Sequence, residues 1–315
     1  MDELKGFPYP FKEDIYRYSN NSTLLGQPNC IELTSNYRKE IHLKRNLLIK
    51  HPERCYQSLP HTIPSQWEAM SLITNHLITY FPEKFSLVKD GNNWTFRNYP
   101  LNEEYCFTFG DNKSLAMEPL DFIGRHVQED IIIMMQRDGD LYLDAGQLCF
   151  PANWSLAFNL GMNFKEIHQP IPGFKEEGLD NRILQFLLRL EDGAPWGRKN
   201  WSLMAGSRLD TSLETFDAWG KDRRKVTFEN AGELVRLRVE VQKLFRLPRS
   251  GSILFTIHTH LLPLEKFVLN EEWLVQFTRI LEELPPHITD YKGLALYKNT
   301  VLDYLRARLK EKGIK

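Results

Sequence analysis

The chain has little of what marks several common protein classes. Four cysteines occur in 315 residues, at positions 30, 55, 106 and 149, and no two form a Cys-x-x-Cys pair. A zinc or iron–sulfur site built from cysteine is therefore not expected, and thiols spaced this widely read as buried and reduced. The longest aliphatic stretch, Ile131 to Met135, falls far short of the roughly 20 apolar residues that cross a bilayer, so no membrane association is expected. The first twelve residues carry Asp2, Glu3, Lys5, Pro8 and Pro10 where a secretory leader has an apolar core, which points to the cytoplasm. Excess charge is missing too: 40 basic residues stand against 41 acidic ones, which argues against nucleic acid as a partner. Glycine-rich phosphate loops, the Gly-x-Ser-x-Gly elbow and His-Glu-x-x-His are absent. Those absences remove the commonest nucleotide-binding, hydrolase and zinc-protease signatures.

What is present describes a folded protein. Hydrophobic residues make up 42% and charged residues 26%, the balance of an ordinary globular chain. No repeat or low-complexity linker divides it. Residues 1–62 read as an amino-terminal arm and helix packing on the core, and 63–315 as a single domain ending in helices. Apolar spacing predicts helices over 37–50, over 65–81 with Ser65 as cap, and over 179–191. Asp121 is expected to cap a short helix reaching Gln128. Aromatic-rich runs at 94–99 and 105–110 predict strands. Ile131–Met135 predicts a buried strand turning at Asp138-Gly139 into a partner over 141–150, although a continuous helix is the rival reading. Strict alternation predicts strands over 234–241 and 252–260. Two tail helices, 264–284 and 291–311, are separated by Pro285-Pro286. Short strands with clustered helices indicate an α+β fold with an antiparallel sheet.

Four places carry residues suited to chemistry. His168 lies in Ile167-His168-Gln169-Pro170-Ile171-Pro172-Gly173, a segment whose prolines predict a rigid loop able to present an imidazole to a metal or haem iron; the plain alternative is a structural histidine in a turn. His258 and His260 fall on one strand face, as in a metal chelate, or on a merely polar face. Arg238 and Glu240 share a face, where Glu240 suits ammonium binding or acid–base work, or a surface ion pair. Glu129-Asp130, at a strand start, reads as solvated. Trp154, Trp196 and Trp201 stand near Arg198 and Asn200, the walls and guanidinium that a flat cofactor with two carboxylates requires.

Several segments in order also resemble one known family. They are Cys149-Phe150-Pro151-Ala152-Asn153-Trp154, Leu160-Gly161, the Ile167–Gly173 segment, Arg198-Lys199-Asn200-Trp201, Leu237 to Leu244, Arg246 to Gly251, Phe255-Thr256-Ile257, Gln128-Glu129-Asp130 and Tyr291-Lys292-Gly293. They resemble the haem-dependent oxidative N-demethylase alpha-subunit-like family, over about residues 40 to 305. The resemblance implies a PAS-like antiparallel sheet with flanking helices that binds haem b. It implies oxidative N-demethylation of a small secondary methylamine, with O2 as oxidant and formaldehyde released. Electrons would come from NADPH through separate flavin and iron–sulfur reductase components. Carried onto this sequence, it makes His168 the axial ligand, with His258 in reserve as ligand or catalytic residue. Arg198, Arg238 and Arg249 become partners for the propionates, Trp154 a haem wall, and Glu240 the group that holds the amine or relays protons. The family's Arg-Val-Glu-Arg-Gln-Thr-Leu appears here with Val241 and Lys243 in place of Arg and Thr. Its Ile-Arg-Thr-Tyr appears as Ile257-His258-Thr259-His260. Those changes motivate an alternative, a non-catalytic haem-binding PAS-like sensor or carrier. Two further alternatives are a non-haem metal enzyme using His258, His260 and a carboxylate such as Glu240, and a purely structural protein.

Overall fold

The computed structural model describes residues 2–16 and 21–314. Its centre is a seven-stranded sheet built from β1 (Thr23–Leu24), β2 (Tyr56–Ser58), β6 (Asp130–Arg137), β7 (Asp140–Gln147), β8 (Trp196–Ala205), β9 (Val235–Arg246) and β10 (Ile253–Pro263). Their spatial order is β1-β8-β9-β10-β6-β7-β2, and every pairing is antiparallel. A second sheet joins β3 (Phe85–Asp90), β4 (Asn93–Asn98) and β5 (Glu103–Thr108). The architecture is α+β, as the sequence indicated. Residues before 63 supply both edge strands of the large sheet, β1 against β8 and β2 against β7.

The Ile131–Met135 run is strand, not helix. Asp138 and Gly139 take positive φ values of 52° and 74°, the conformation a two-residue hairpin turn requires between β6 and β7. The helix over Tyr37–Lys50 (α1) has the bounds its periodicity predicts. The long helix Ile63–Tyr80 (α2) starts before Ser65, because Pro64 fits a first helical turn; Ser65 is buried and pairs with Ser252 Oγ at 3.0 Å. The helix at Asp121 spans only Pro119–Gly124 (α3). Asp121 lies within it, forming two 3.0 Å bonds to Arg125 and so spending its carboxylate on an ion pair rather than a cap. Downstream come Phe164–His168 (α4), Leu179–Leu188 (α5), Glu271–Glu283 (α6), Pro286–Tyr291 (α7) and Lys298–Glu311 (α8). The expected 264–284 helix is broken at Asn270, whose side chain caps α6 by accepting from the Trp273 N–H.

Alternation along β9 and β10 divides the core. One sheet face carries Leu244, Ile253 and Leu141, packed against Phe164, Phe174 and Leu187 of the α4–α5 region. On the opposite face, Leu254, Phe245 and Ile131 pack on α2 and the small sheet. Further along that face, Leu237, Val239 and Leu262 pack on α6 and α8 together with Phe7, Tyr9 and Phe11 of the amino-terminal segment. No helix among the described residues is long and apolar enough to cross a membrane.

Candidate active site

Between the sheet and the α4–α5 region lies a cavity of about 300 Å³, at the small end of the range for ligand pockets. Its walls are mostly apolar, with Ile132, Leu143, Phe255 and Trp154 among them, and four of the expected site residues, His168, Trp154, Arg198 and Glu240, line it together. Asn200, Gln242 and Tyr291 complete its polar side.

His168 is not on a free loop but is the last residue of α4. That helix is only one turn long and owes its start to a capping box: the Asn163 side chain accepts from the Glu166 N–H, and the Glu166 carboxylate accepts from the Asn163 N–H at 2.8 Å. The His168 ring stacks on Phe174, with centroids 5.1 Å apart. Its Nδ1 lies 2.7 Å from the Phe164 carbonyl oxygen. A carbonyl only accepts, so Nδ1 carries the proton and Nε2 keeps its lone pair. Burial holds the imidazole neutral, with its pKa down at about 4. This is a neutral nitrogen donor with its tautomer set by a backbone hydrogen bond, the arrangement typical of metal-ligating histidines.

Glu240 is held from three sides. Its Oε1 accepts from Arg238 Nε at 3.3 Å, and its Oε2 from Gln242 Nε2 at 3.0 Å and Asn200 Nδ2 at 3.2 Å. These neighbours follow from strand register: Asn200 on β8 stands opposite Glu240, and Gln242 is two residues along β9 on the same face. Arg198 on β8 also reaches the cavity. Its Nε is buried and has no hydrogen-bond partner among the described residues, and burial lowers its pKa. An orphaned guanidinium N–H at a cavity wall calls for an acceptor that the protein does not itself supply.

A family model described as "haem-dependent oxidative N-demethylase, alpha subunit-like" matches residues 24–302. The chain belongs to that family. The family's name carries dependence on haem and a place in an assembly of more than one kind of subunit. The cavity residues of this family member fit such a group. An apolar slot holds a neutral imidazole with a free Nε2, an unpaired guanidinium N–H and an indole wall, which are the donors a flat iron cofactor with carboxylate arms needs.

The other expected residues lie elsewhere. Arg238 is fully buried behind Glu240, where it donates to the carbonyls of Phe150 at 2.6 Å and Leu209 at 3.0 Å and to Thr259 Oγ1 at 3.1 Å. All of its strong bonds are internal. Arg249 is exposed in the turn between β9 and β10, with its backbone N–H on Glu68. His258 stands opposite Val241 in the β9–β10 pairing, so it occupies the sheet face away from the cavity. There it meets Glu32 at 3.2 Å and Glu40 at 3.8 Å. Burial opposes its charge, but these carboxylates outweigh burial and raise its pKa to about 10. Glu240 and His258 are thus separated by the sheet, and Glu240 cannot complete a chelate with His258 and His260.

Sequence reading alone treated Glu129-Asp130 as solvated. Both are buried. Asp130 accepts from the N–H groups of Cys149 and Phe150, each at 2.8 Å, and Lys44, itself buried, donates to the carbonyls of Val127 and Glu129. Burial raises the Asp130 pKa to about 6 despite Lys44. The pair fixes the chain that leads into Trp154. Asn153 next to it takes φ +59°, rare for a residue with a side chain, and its N–H is tied to the Thr211 carbonyl at 2.8 Å. The Asn200–Glu240–Gln242 array was also missed as a unit. Its only sequence signal is period-two spacing within β9; the Asn200 contribution depends on strand register.

Proposed function

We propose that this chain is the haem-binding catalytic subunit of an oxidative N-demethylase acting on a small secondary methylamine. In this reading the fold is PAS-like, the cofactor is haem b, the setting is cytoplasmic, and two electrons arrive from partner components carrying flavin and iron–sulfur centres. Overall, a methylamine, O2, two electrons and two protons give the demethylated amine, formaldehyde and water. Haem, when bound, supplies the one-electron and dioxygen chemistry that no side chain provides. The observation that carries the proposal is the meeting of neutral His168, unpaired Arg198 and anchored Glu240 in one apolar cavity.

Each residue then has a task. His168 offers Nε2 to the iron, its ring fixed by the Phe164 carbonyl and Phe174. Arg198 gives its free N–H to a propionate. Trp154 and the aliphatic walls exclude water. Glu240 accepts from the ammonium of the amine. At about 4 Å and an effective dielectric near 20, such a charge pair is worth about 4 kcal/mol before desolvation. The substitutions relative to the family pattern, Val241, Lys243, His258 and His260, all lie on the sheet face away from the cavity, whereas Arg238, Glu240, Gln242 and Leu244 on the cavity side keep the family residues. That placement favours turnover over a sensor or carrier role.

The test starts with the visible spectrum of protein expressed with a haem precursor. A Soret band that moves on reduction is expected, and His168→Ala should lose that band or change its ligand state. Formaldehyde release from a panel of methylamines, with a reductant, then separates enzyme from sensor. A colourless folded protein that fails to take up hemin would overturn the proposal, and so would a haem-loaded protein inert toward every amine.

A further inference from the structure

Five residues of β10 point to the face away from the cavity: Leu254, Thr256, His258, His260 and Leu262. Leu254 belongs to the core under α2, and Leu262 to the core under α6 and α8. Between these two apolar masses the strand places two imidazoles, whose ring centres are 4.3 Å apart. A third group arrives from 226 residues away in sequence. Glu32 Oε2 lies 3.2 Å from His258 Nδ1 and 3.1 Å from His260 Nε2.

We propose that Glu32, His258 and His260 form a binding site for a divalent transition-metal ion, separate from the haem cavity. Metal–ligand bonds of about 2.0–2.2 Å in tetrahedral or octahedral geometry place ligand atoms roughly 3 to 3.6 Å apart. The two contacts at Glu32 Oε2 already have that spacing, and all three donor atoms lie within 4.8 Å of one another. Two imidazoles and one carboxylate suit zinc and its first-row neighbours better than calcium or magnesium.

Independent features support a built site. Glu32 is pinned by its backbone, since its N–H donates to Glu129 Oε1 at 2.6 Å and the Thr34 N–H donates to Gln128 at 2.9 Å. His258 directs Nδ1 at Glu32, while its Nε2 faces Glu40 at 3.8 Å. A carboxylate on the far nitrogen is the usual support of a metal-bound histidine. The buried Glu129 carboxyl stands 3.6 Å from His258 Nδ1, and its second oxygen has no hydrogen-bond partner among the described residues. Two cations oppose the ion: the Lys243 ammonium sits 3.3 Å from Glu32 Oε1, the oxygen turned away from the histidines, and Lys199, on the same sheet face with its ammonium on the Tyr9 carbonyl, also feels the Glu32 charge. Three carboxyl groups therefore face two lysines. A bound ion takes the place of the proton shared by His258 and Glu32 and clamps the segment around Glu32 to the sheet. Glu32 and His260 are the partly exposed members, through which the ion enters.

The test is calorimetric titration of zinc chloride into chelator-treated, dialysed full-length protein carrying its haem. One zinc per chain is expected, with a rise in the unfolding temperature. His260→Gln and Glu32→Gln, both at the rim and so compatible with folding, should each weaken binding at least about tenfold. Lys243→Met should tighten it, and Glu240→Gln, across the sheet, should leave it unchanged. No zinc uptake by the wild-type protein would overturn the site. Equal uptake by the His260→Gln and Glu32→Gln proteins would do so as well, because the zinc would then sit elsewhere.

Discussion

Glu240 and Arg238 sit two residues apart on the same strand face, yet they do different work. Glu240 presents a carboxylate to the cavity, while Arg238 spends its N–H groups on the carbonyls of Phe150 and Leu209 and on Glu240 itself. Under the proposed function, Glu240→Gln should leave the haem spectrum intact and reduce kcat/KM by roughly 30-fold, mainly through KM, because about 2 kcal/mol of charge pairing with the proposed ammonium substrate would be lost. Steady-state kinetics on haem-loaded protein decide this. Arg238→Met should act on stability instead. It strands buried carbonyls and an uncompensated carboxylate, a loss of about 3–5 kcal/mol, to be read from a fall in the urea midpoint. The Arg238–Glu240 spacing is plain in the sequence, and so is their shared face. That Arg238 is structural follows only from where residues 150 and 209 come to rest.

At the scale of elements, the one-turn helix α4 is the weak link that holds His168. Five residues of helix cannot sustain themselves by propagation, so the capping box matters out of proportion to its size. Asn163→Ala should cost about 1 kcal/mol, seen as a lower melting temperature and as slower recovery of the Soret band after haem removal. Regular elements with clear periodicity were legible: α1 from its apolar spacing, β6–β7 from the Asp-Gly turn, β9 and β10 from strict alternation. Helix ends set by competing side-chain bonds were not. Asp121 resembles a cap, but Arg125 four residues on claims its carboxylate, and the helix ends at Gly124.

Across the whole molecule, buried neutral histidines weaken the fold in acid, while Asp130, and above pH 6.5 also His258, work against them. Burial, aided by Lys243, lowers the His76 pKa to about 4, and burial with Arg45 and Arg125 lowers that of His126 well below its ordinary value. The unfolded chain binds protons at these positions near pH 6.5 and the folded one does not until far lower. These histidines therefore withdraw stability as pH drops below about 6.5, the His76 share saturating near pH 4, and Asp130, with its pKa raised to about 6, takes up a proton in the folded state and offsets part of that loss. Urea midpoints at pH 7.5 and 5 should show this decline, and His76→Gln should flatten it. A steeper decline in that variant would exclude His76 as its source.

The sequence by itself determined what depends on neighbours along the chain: the α+β class, the main strands and helices, the family, and which residues of β9 and β10 share a face. Period-two and period-3.6 patterns are local, so they survive without coordinates. Tertiary structure decided which face became a cavity and which became core. It turned Glu129 and Asp130 from expected surface acids into buried anchors through Lys44, and it left Arg249 outside. It also brought Glu32 across 226 and 228 residues to His258 and His260. Such meetings are set by the packing of remote segments, and the spacing of residues along a chain carries no record of them.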